Sequence, residues 1–159
     1  MTRLRGRALR GQRVVEAVPH GHWKTTTLIA ALDQRGMRCS LVLDGAVDGS
    51  AFETFVGAVL VPTLQPGDLV ILDNLSSHKG PRVGQLIRAA HADVIYLPPY
   101  SPDFNPIENA FSKIKQGLRT LGLRVVSELW AAIQPVLDRI TPTDAAGFFR
   151  HCGYATDEK

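Results

Sequence analysis

Apolar and polar positions along this chain follow two different periods. Thr25 to Leu32 is rich in β-branched and apolar residues, Asp33-Gln34-Arg35-Gly36 interrupts it, and Met37 to Leu43 resumes it. That pattern predicts two strands joined by a hairpin. Ser50-Ala51-Phe52-Glu53 has the form of a capping box and predicts a helix start. Phe52, Phe55, Val56, Val59 and Leu60 share one face of that helix, and Pro62 and Pro66-Gly67 end it. Leu69 to Leu72 is a short continuous apolar run that reads as a buried strand stopping at Asp73. Gly80-Pro81 opens the next helix, with Val83, Leu86, Ile87 and Ala90 as its inner stripe, and Asp93 to Leu97 is the next strand.

The second half of the chain is helical in period. Asn105 suits an N-cap, Pro106 the first helical position and Glu108 the third. Ile107, Phe111, Ile114, Leu118 and Leu121 step by four and three and are expected inward, with Gly117 as a local weak point. Glu108, Ser112, Lys115 and Arg119 form the adjoining stripe. Ser127 begins a further helix with Leu129, Trp130, Ile133, Val136 and Leu137 on its apolar side, and Pro135 is expected to kink it. Thr141-Pro142-Thr143-Asp144 caps a last short helix carrying Phe148 and Phe149. At the other end, Arg13 to Val18 alternates weakly, like a short strand, and Pro19-His20-Gly21-His22 reads as a polar turn. A hairpin followed by alternating helices and strands predicts a mixed α/β sheet with helices packed on it.

Composition narrows the picture only a little. At 159 residues, 45% hydrophobic and 21% charged, the chain is long enough for one domain with a real core. The apolar runs are too short to span a membrane, and the Arg-rich N-terminus lacks an apolar signal core. Cys39 and Cys152 stand alone, without zinc spacing, which suits a reduced cytoplasmic protein. The net charge of +3 says little, but its distribution says more. Arg3, Arg5, Arg7, Arg10 and Arg13 cluster with no acid among them, which suits phosphate binding and equally suits a solvated basic tail.

The candidate chemistry lies between Asp73 and Glu108, which 34 residues separate. A carboxylate at the end of a buried strand sits where α/β folds usually place their chemistry. A second carboxylate in the first turn of a later helix could meet it and hold a divalent cation such as Mg²⁺. Taken singly, Asp73-Asn74 reads as a turn and Glu108 as the capping-box partner of Asn105. Lys115 and Arg119, on the same helix as Glu108, would be left for a phosphate backbone, or would simply be a solvated charged face.

Asp73-Asn74-Leu75-Ser76-Ser77-His78-Lys79, and Pro98-Pro99-Tyr100-Ser101-Pro102-Asp103-Phe104-Asn105-Pro106-Ile107-Glu108 at this spacing, resemble the DDE transposases of bacterial insertion sequences, in the mariner superfamily. The resemblance runs over nearly the whole chain. It implies an RNase H-like fold, a mixed five-stranded sheet flanked by helices. It also implies a catalytic triad of carboxylates that bind two Mg²⁺ ions, with Mn²⁺ as a substitute. One ion would activate an attacking water or DNA 3′-hydroxyl and the other would stabilise the leaving oxygen. Asp73 matches the second carboxylate and Glu108 the third, both as catalytic and metal-binding residues. Asn74, His78 and Lys79 match the motif that follows the second. His78, Lys79, Lys115, Arg119 and the arginine cluster are the expected DNA contacts, and the DNA partners are transposon ends and target. Such a protein would work in the bacterial cytoplasm, on the nucleoid, and not at a membrane.

The family's first carboxylate, on the first and central strand, has no match: no Asp or Glu precedes Glu16, and Asp44 follows a different strand. The helix-turn-helix DNA-binding domain of the family has no match either. The expectation is an incomplete catalytic domain over residues 1–154 with a tail at 155–159, the product of a split, frameshifted or truncated gene or of a start codon placed too late. Three functions remain open. The chain is a transposase subunit completed by an upstream polypeptide or another subunit, and inactive alone. It is a non-catalytic DNA-binding remnant. Or it is a different Mg²⁺-dependent nuclease or phosphotransfer enzyme.

Overall fold

A computed structural model describes residues 6–15 and 24–155. Arg3, Arg5, the turn at Pro19 to His22, the second half of the strand expected over Arg13 to Val18 and nearly all of the expected tail lie outside the described residues. Arg13, Val14 and Val15 themselves are in no strand.

The hairpin forms where the pattern predicts it. Strand β1 (Thr26–Asp33) pairs antiparallel with β2 (Gly36–Asp44) through the turn at Gln34-Arg35. Gly36 has φ of 132° and backs onto the Ile140 carbonyl, which a Cβ would meet at 2.9 Å, so a side chain fits neither the dihedral nor the space. A register shift between Ala31 and Leu32 sets Leu32 opposite Met37. Arg38 holds the back of the hairpin to the rest of the fold, 3.0 Å from Asp68 and bonded to Thr63.

Helix α1 (Gly49–Phe55) starts two residues earlier than the pattern suggests. Its cap is Asp48, whose carboxylate accepts from Ala51 N at 2.8 Å, and Ser50 lies inside the helix. The helix widens into a π-helical turn over Val56–Leu60 and tightens into a 3₁₀ turn over Val61–Thr63. Phe52, Phe55, Val56 and Leu60 are buried as expected. Strand β3 (Leu69–Leu72) follows, then a 3₁₀ turn at Ser76–His78, helix α2 (Pro81–Ala89) and strand β4 (Asp93–Tyr96), which pairs parallel with β3. Helix α3 (Pro106–Leu121) ends on Gly122 in the left-handed region, followed by α4 (Val126–Leu137) and α5 (Pro142–His151).

The fold is mixed α/β, as expected, but the strands do not form one sheet among the described residues. They make two ribbons, β1–β2 and β3–β4. Each strand has a single partner, so the backbone groups on its other edge have no ladder to join. One apolar core holds the ribbons together. Phe52, Phe55, Val56 and Leu60 meet Val83 and Ile87 of α2, and this layer packs on Ile29 and Leu41 of one ribbon and on Val70 and Leu72 of the other. A second core lies across the other face of the hairpin, where Ile114, Leu118, Ile133, Val136 and Leu137 cover Leu28, Leu32 and Val42. The alternation of strand residues between the two cores is the period of two expected of a strand covered on both faces. The parallel ribbon is covered on one face only. Leu69 and Ile95 are exposed on the other, so β3 is half-buried where a buried strand is expected.

Two helical faces also differ from expectation. The inward line of α3 is Pro106, Ala110, Ile114 and Leu118, a strict i, i+4 row that rotates the helix slightly from the predicted stripe. Leu121 is exposed as a result. Trp130 is likewise turned outward, with its indole N–H donating to Thr26 Oγ1 at 3.1 Å. Pro135 sits two residues before the end of α4, where its missing N–H removes only one helical bond. Gly117 faces α4, and a Cβ there would come within 3.1 Å of Val136. The glycine that weakens α3 locally is thus what lets the two helices approach. Thr141 caps α5 as predicted, and with Asp144 it makes a full capping box.

Candidate active site

Asp73 is the residue directly after β3. The chain turns there because Oδ1 of its own side chain accepts from Leu75 N at 3.2 Å, the two-residue loop that Asp favours. The turn reading of Asp73-Asn74 is therefore correct, but it uses only one carboxylate oxygen. The same Oδ1 lies 2.5 Å from His78 Nδ1. Nδ1 is buried and makes no hydrogen bond. It is an ionic contact when the imidazole is protonated. Oδ2 of Asp73 has no partner among the described residues.

Glu108 enters from the other side of the chain. A 3₁₀ turn over Pro102–Phe104 leads into Asn105, the N-cap of α3, and Pro106 presets the first helical φ. The side chain of Asn105 makes no capping bond, and Glu108 does not reach back to the Asn105 N–H. Instead the Asn105 N–H donates to Pro102 O at 2.9 Å. The capping-box explanation of Glu108 therefore does not hold. Its carboxylate is exposed and without an ion pair among the described residues, at the helix end whose dipole favours an anion.

Asp73 and Glu108 both line one cavity of about 480 Å³. The loop from Leu97 to Pro102 forms another wall, and Asn74, Ser76, Lys79 and Asn105 complete the polar part. Tyr100 stands on this wall with φ of 56° and its ring fully exposed. A left-handed tyrosine is uncommon outside turns and sites. The sequence alone gave Tyr100 no role, although its place between Pro99 and Pro102 restricts the backbone there.

The acidic oxygens facing the cavity are hard donors of the kind Mg²⁺ and Mn²⁺ take, and such ions commonly bind through one or two carboxylates with water in the remaining positions. Asp73 and Glu108 are two residues with donors of that kind on one cavity. No group of three His, Cys, Asp or Glu able to hold a metal occurs among the described residues. Asp44 ends β2 and does not line the cavity.

Lys79 is exposed at the cavity edge, and Lys115 and Arg119 follow Glu108 along α3. None of the three has an ion-pair partner among the described residues. Lys113, on the next face, is by contrast bound to Asp144 at 2.6 Å. Arg7, Arg10 and Arg13 are exposed in irregular chain. His78 is half-buried, its ring stacked on Phe52 at 3.9 Å between centroids.

No helix among the described residues is long and apolar enough to cross a membrane. A comparison with curated proteins finds no similar sequence. Among solved structures the chain is similar to the strand transfer complex of Mos1, with a TM-score of 0.72 at 19% identity over 96% of this chain and 46% of that one. It is similar to the Mos1 transposase paired-end complex with left transposon end, with a TM-score of 0.70 at 20% identity over 96% and 47%. The catalytic domain of Mos1 mariner transposase gives 0.65 at 16% identity, over 80% of this chain and 67% of that one. The fold is thus the RNase H-like α/β fold of that catalytic domain, and the chain spans about half the length of the first two structures. Residues 1–129 match the family described as DDE superfamily endonuclease, and with most of its length inside that match this chain belongs to the DDE endonuclease superfamily.

Proposed function

We propose that this chain is the catalytic domain of a transposase that cuts DNA at the ends of a bacterial insertion sequence and joins them to a target, with Mg²⁺ or Mn²⁺ as cofactor. One observation carries the reading: Asp73, leaving a strand tip, and Glu108, opening α3, line the same cavity. The similar structures add support, since they include Mos1 complexes with a transposon end, of strand transfer, with Mn and with Mg.

In this reading the Asp73 and Glu108 carboxylates would hold the cation, Asp73 having Oδ2 without another partner among the described residues. Bound there, it would lower the pKa of an attacking water or hydroxyl and stabilise the leaving oxygen. The chain's own groups do the remaining work. The Leu75 N–H fixes Asp73 through Oδ1. The proline-rich wall from Leu97 to Pro102 keeps the cavity shaped without flexible side chains. Lys79, Lys115 and Arg119 meet backbone phosphates, with Arg7, Arg10 and Arg13 adding sequence-independent attraction.

The chain alone does not cleave DNA in this reading. Two-metal chemistry holds its ions roughly 3.5–4 Å apart and needs more anionic oxygens than two carboxylates offer. The third would come on a further strand joining the two ribbons, from upstream sequence or another polypeptide. A second reading, a non-catalytic DNA-binding remnant, draws on the same shortage. Mn²⁺-dependent cleavage of transposon-end DNA, by the chain with and without a carboxylate-bearing upstream segment, separates the two. Cleavage only when the segment is present, lost in Asp73→Asn and in Glu108→Gln, is the expected result. Cleavage by the chain alone overturns the shortage, and none with the segment restored favours the remnant.

A further inference from the structure

We propose that His78 is the positioning residue for Asp73: its ring, clamped on Phe52, fixes Oδ1 so that Oδ2 is left to the cavity. The inference rests on the metal-site reading of Asp73 and adds a residue to it. Every part of His78 is held from a different element. Its N–H donates to Leu75 O at 3.0 Å, closing the 3₁₀ turn. Its carbonyl accepts from Tyr96 Oη of β4 at 3.3 Å. Its ring lies on Phe52 of α1 with 24° between the planes, and Phe52 is itself buried. The imidazole therefore has little freedom, and the one group it presents to the site is Nδ1, 2.5 Å from Asp73 Oδ1.

The burial of that nitrogen is the informative point. A buried polar atom without a hydrogen-bond partner costs folding free energy. Phenylalanine would stack on Phe52 as well and leave no such atom. Among the described residues the group that meets this nitrogen is the Asp73 carboxylate, 2.5 Å away, and an ionic contact to it offsets that cost when the imidazole is protonated. Groups that orient a metal-binding carboxylate commonly change metal affinity about 10- to 100-fold when removed. On this geometry His78 acts through Asp73 and not as a phosphate contact.

The test compares the chain with His78→Phe, which keeps the stack and removes the nitrogen, and His78→Asn, which offers an N–H near the Nδ1 position. Two readouts are taken on each. The first is the Asp73 side-chain rotamer from three-bond NMR couplings without metal, and the second is Mn²⁺ affinity by calorimetric titration. The expected result is one Asp73 rotamer in the parent and in His78→Asn, and averaging in His78→Phe. Mn²⁺ affinity should fall about tenfold or more in His78→Phe only. An unchanged rotamer in His78→Phe overturns the inference whatever the metal does. A rotamer fixed in the parent and lost in His78→Phe, in a chain that binds no Mn²⁺, supports the positioning role and overturns the metal reading instead.

Discussion

Gly117 offers a prediction whose sign depends on its neighbour. Replacing a helix-interior glycine by alanine restricts the unfolded chain and favours the helix by about 1 kcal/mol. At this position the added Cβ would lie 3.1 Å from Val136 Cγ1, a few tenths of an ångström inside ordinary contact. Val136 is 3% exposed, in the core between α3 and α4, and its branched side chain has little rotamer freedom. Overpacking of this kind costs about 1–3 kcal/mol, so Gly117→Ala should come out destabilising by about 1 kcal/mol, or roughly 2–4 °C in Tm for a chain of this size. In a Val136→Ala background the obstacle is gone and part of the new void is filled, so the same substitution should stabilise by about 1 kcal/mol. The coupling between the two sites is then about 2 kcal/mol, within the range for residues in contact. Urea unfolding followed by circular dichroism on the four proteins of the cycle measures it. Equal effects of Gly117→Ala in both backgrounds would refute the claim that this glycine sets the distance between α3 and α4.

Three further outcomes follow from the surface and the thiols. Asp144 has its pKa lowered from 3.8 to about 2, chiefly by the Lys113 hydrogen bond and then by Thr141. A depressed carboxylate adds stability that is complete above its unfolded pKa and fades as pH falls through the folded one. Unfolding midpoints measured between roughly pH 4 and pH 2 should therefore drop less steeply in Asp144→Asn than in the parent. Binding to a labelled DNA duplex should weaken as salt rises, and Lys115→Ala and Arg119→Ala should each reduce the slope of log affinity against log salt by about 0.9; unchanged slopes would remove these residues from the DNA face. Burial raises the Cys39 thiol above its usual range, with Thr63 and Arg38 only partly opposing it, and burial also raises Cys152. Both should alkylate with iodoacetamide more slowly in the folded protein than in urea, and rapid modification of either would contradict the packing around it.

The strand and helix periods were legible wherever local pattern and burial agree. The hairpin, the run Leu69 to Leu72 and the cap at Thr141 fall in this class. Cap identity at α1 was not legible, because Asp48 and Ser50 both suit an N-cap and only the tertiary position of the chain chooses between them. The π-helical turn at Val56–Leu60 leaves no mark in a 3.6-residue pattern. The division of the strands into two ribbons could not be read either, since strand period says nothing about lateral partners. At the site, the spacing of Asp73 and Glu108 pointed to a shared cavity. The place of His78 did not, because ring stacking on Phe52 joins residues that are 26 positions apart in the chain.

The phenol of Tyr154, just beyond α5, donates to the Phe104 carbonyl at 2.8 Å while its ring meets Phe149 edge-on at 5.8 Å. Phe104 is the last residue of the 3₁₀ turn that delivers Asn105 and Glu108. The far end of the described chain thus braces the approach to α3, as a strut braces a doorway. Loads applied there, by a fusion partner or by removal of the last residues, reach the start of α3 through Tyr154 and through Cys152, which meets the side chain of Asn109 beside Glu108. If Glu108 is the metal ligand proposed above, a mobile doorway would make it bind an ion less firmly, since orientation has to be bought at each encounter. Extensions at this end of the protein are therefore not neutral with respect to a site that lies 46 residues away in sequence.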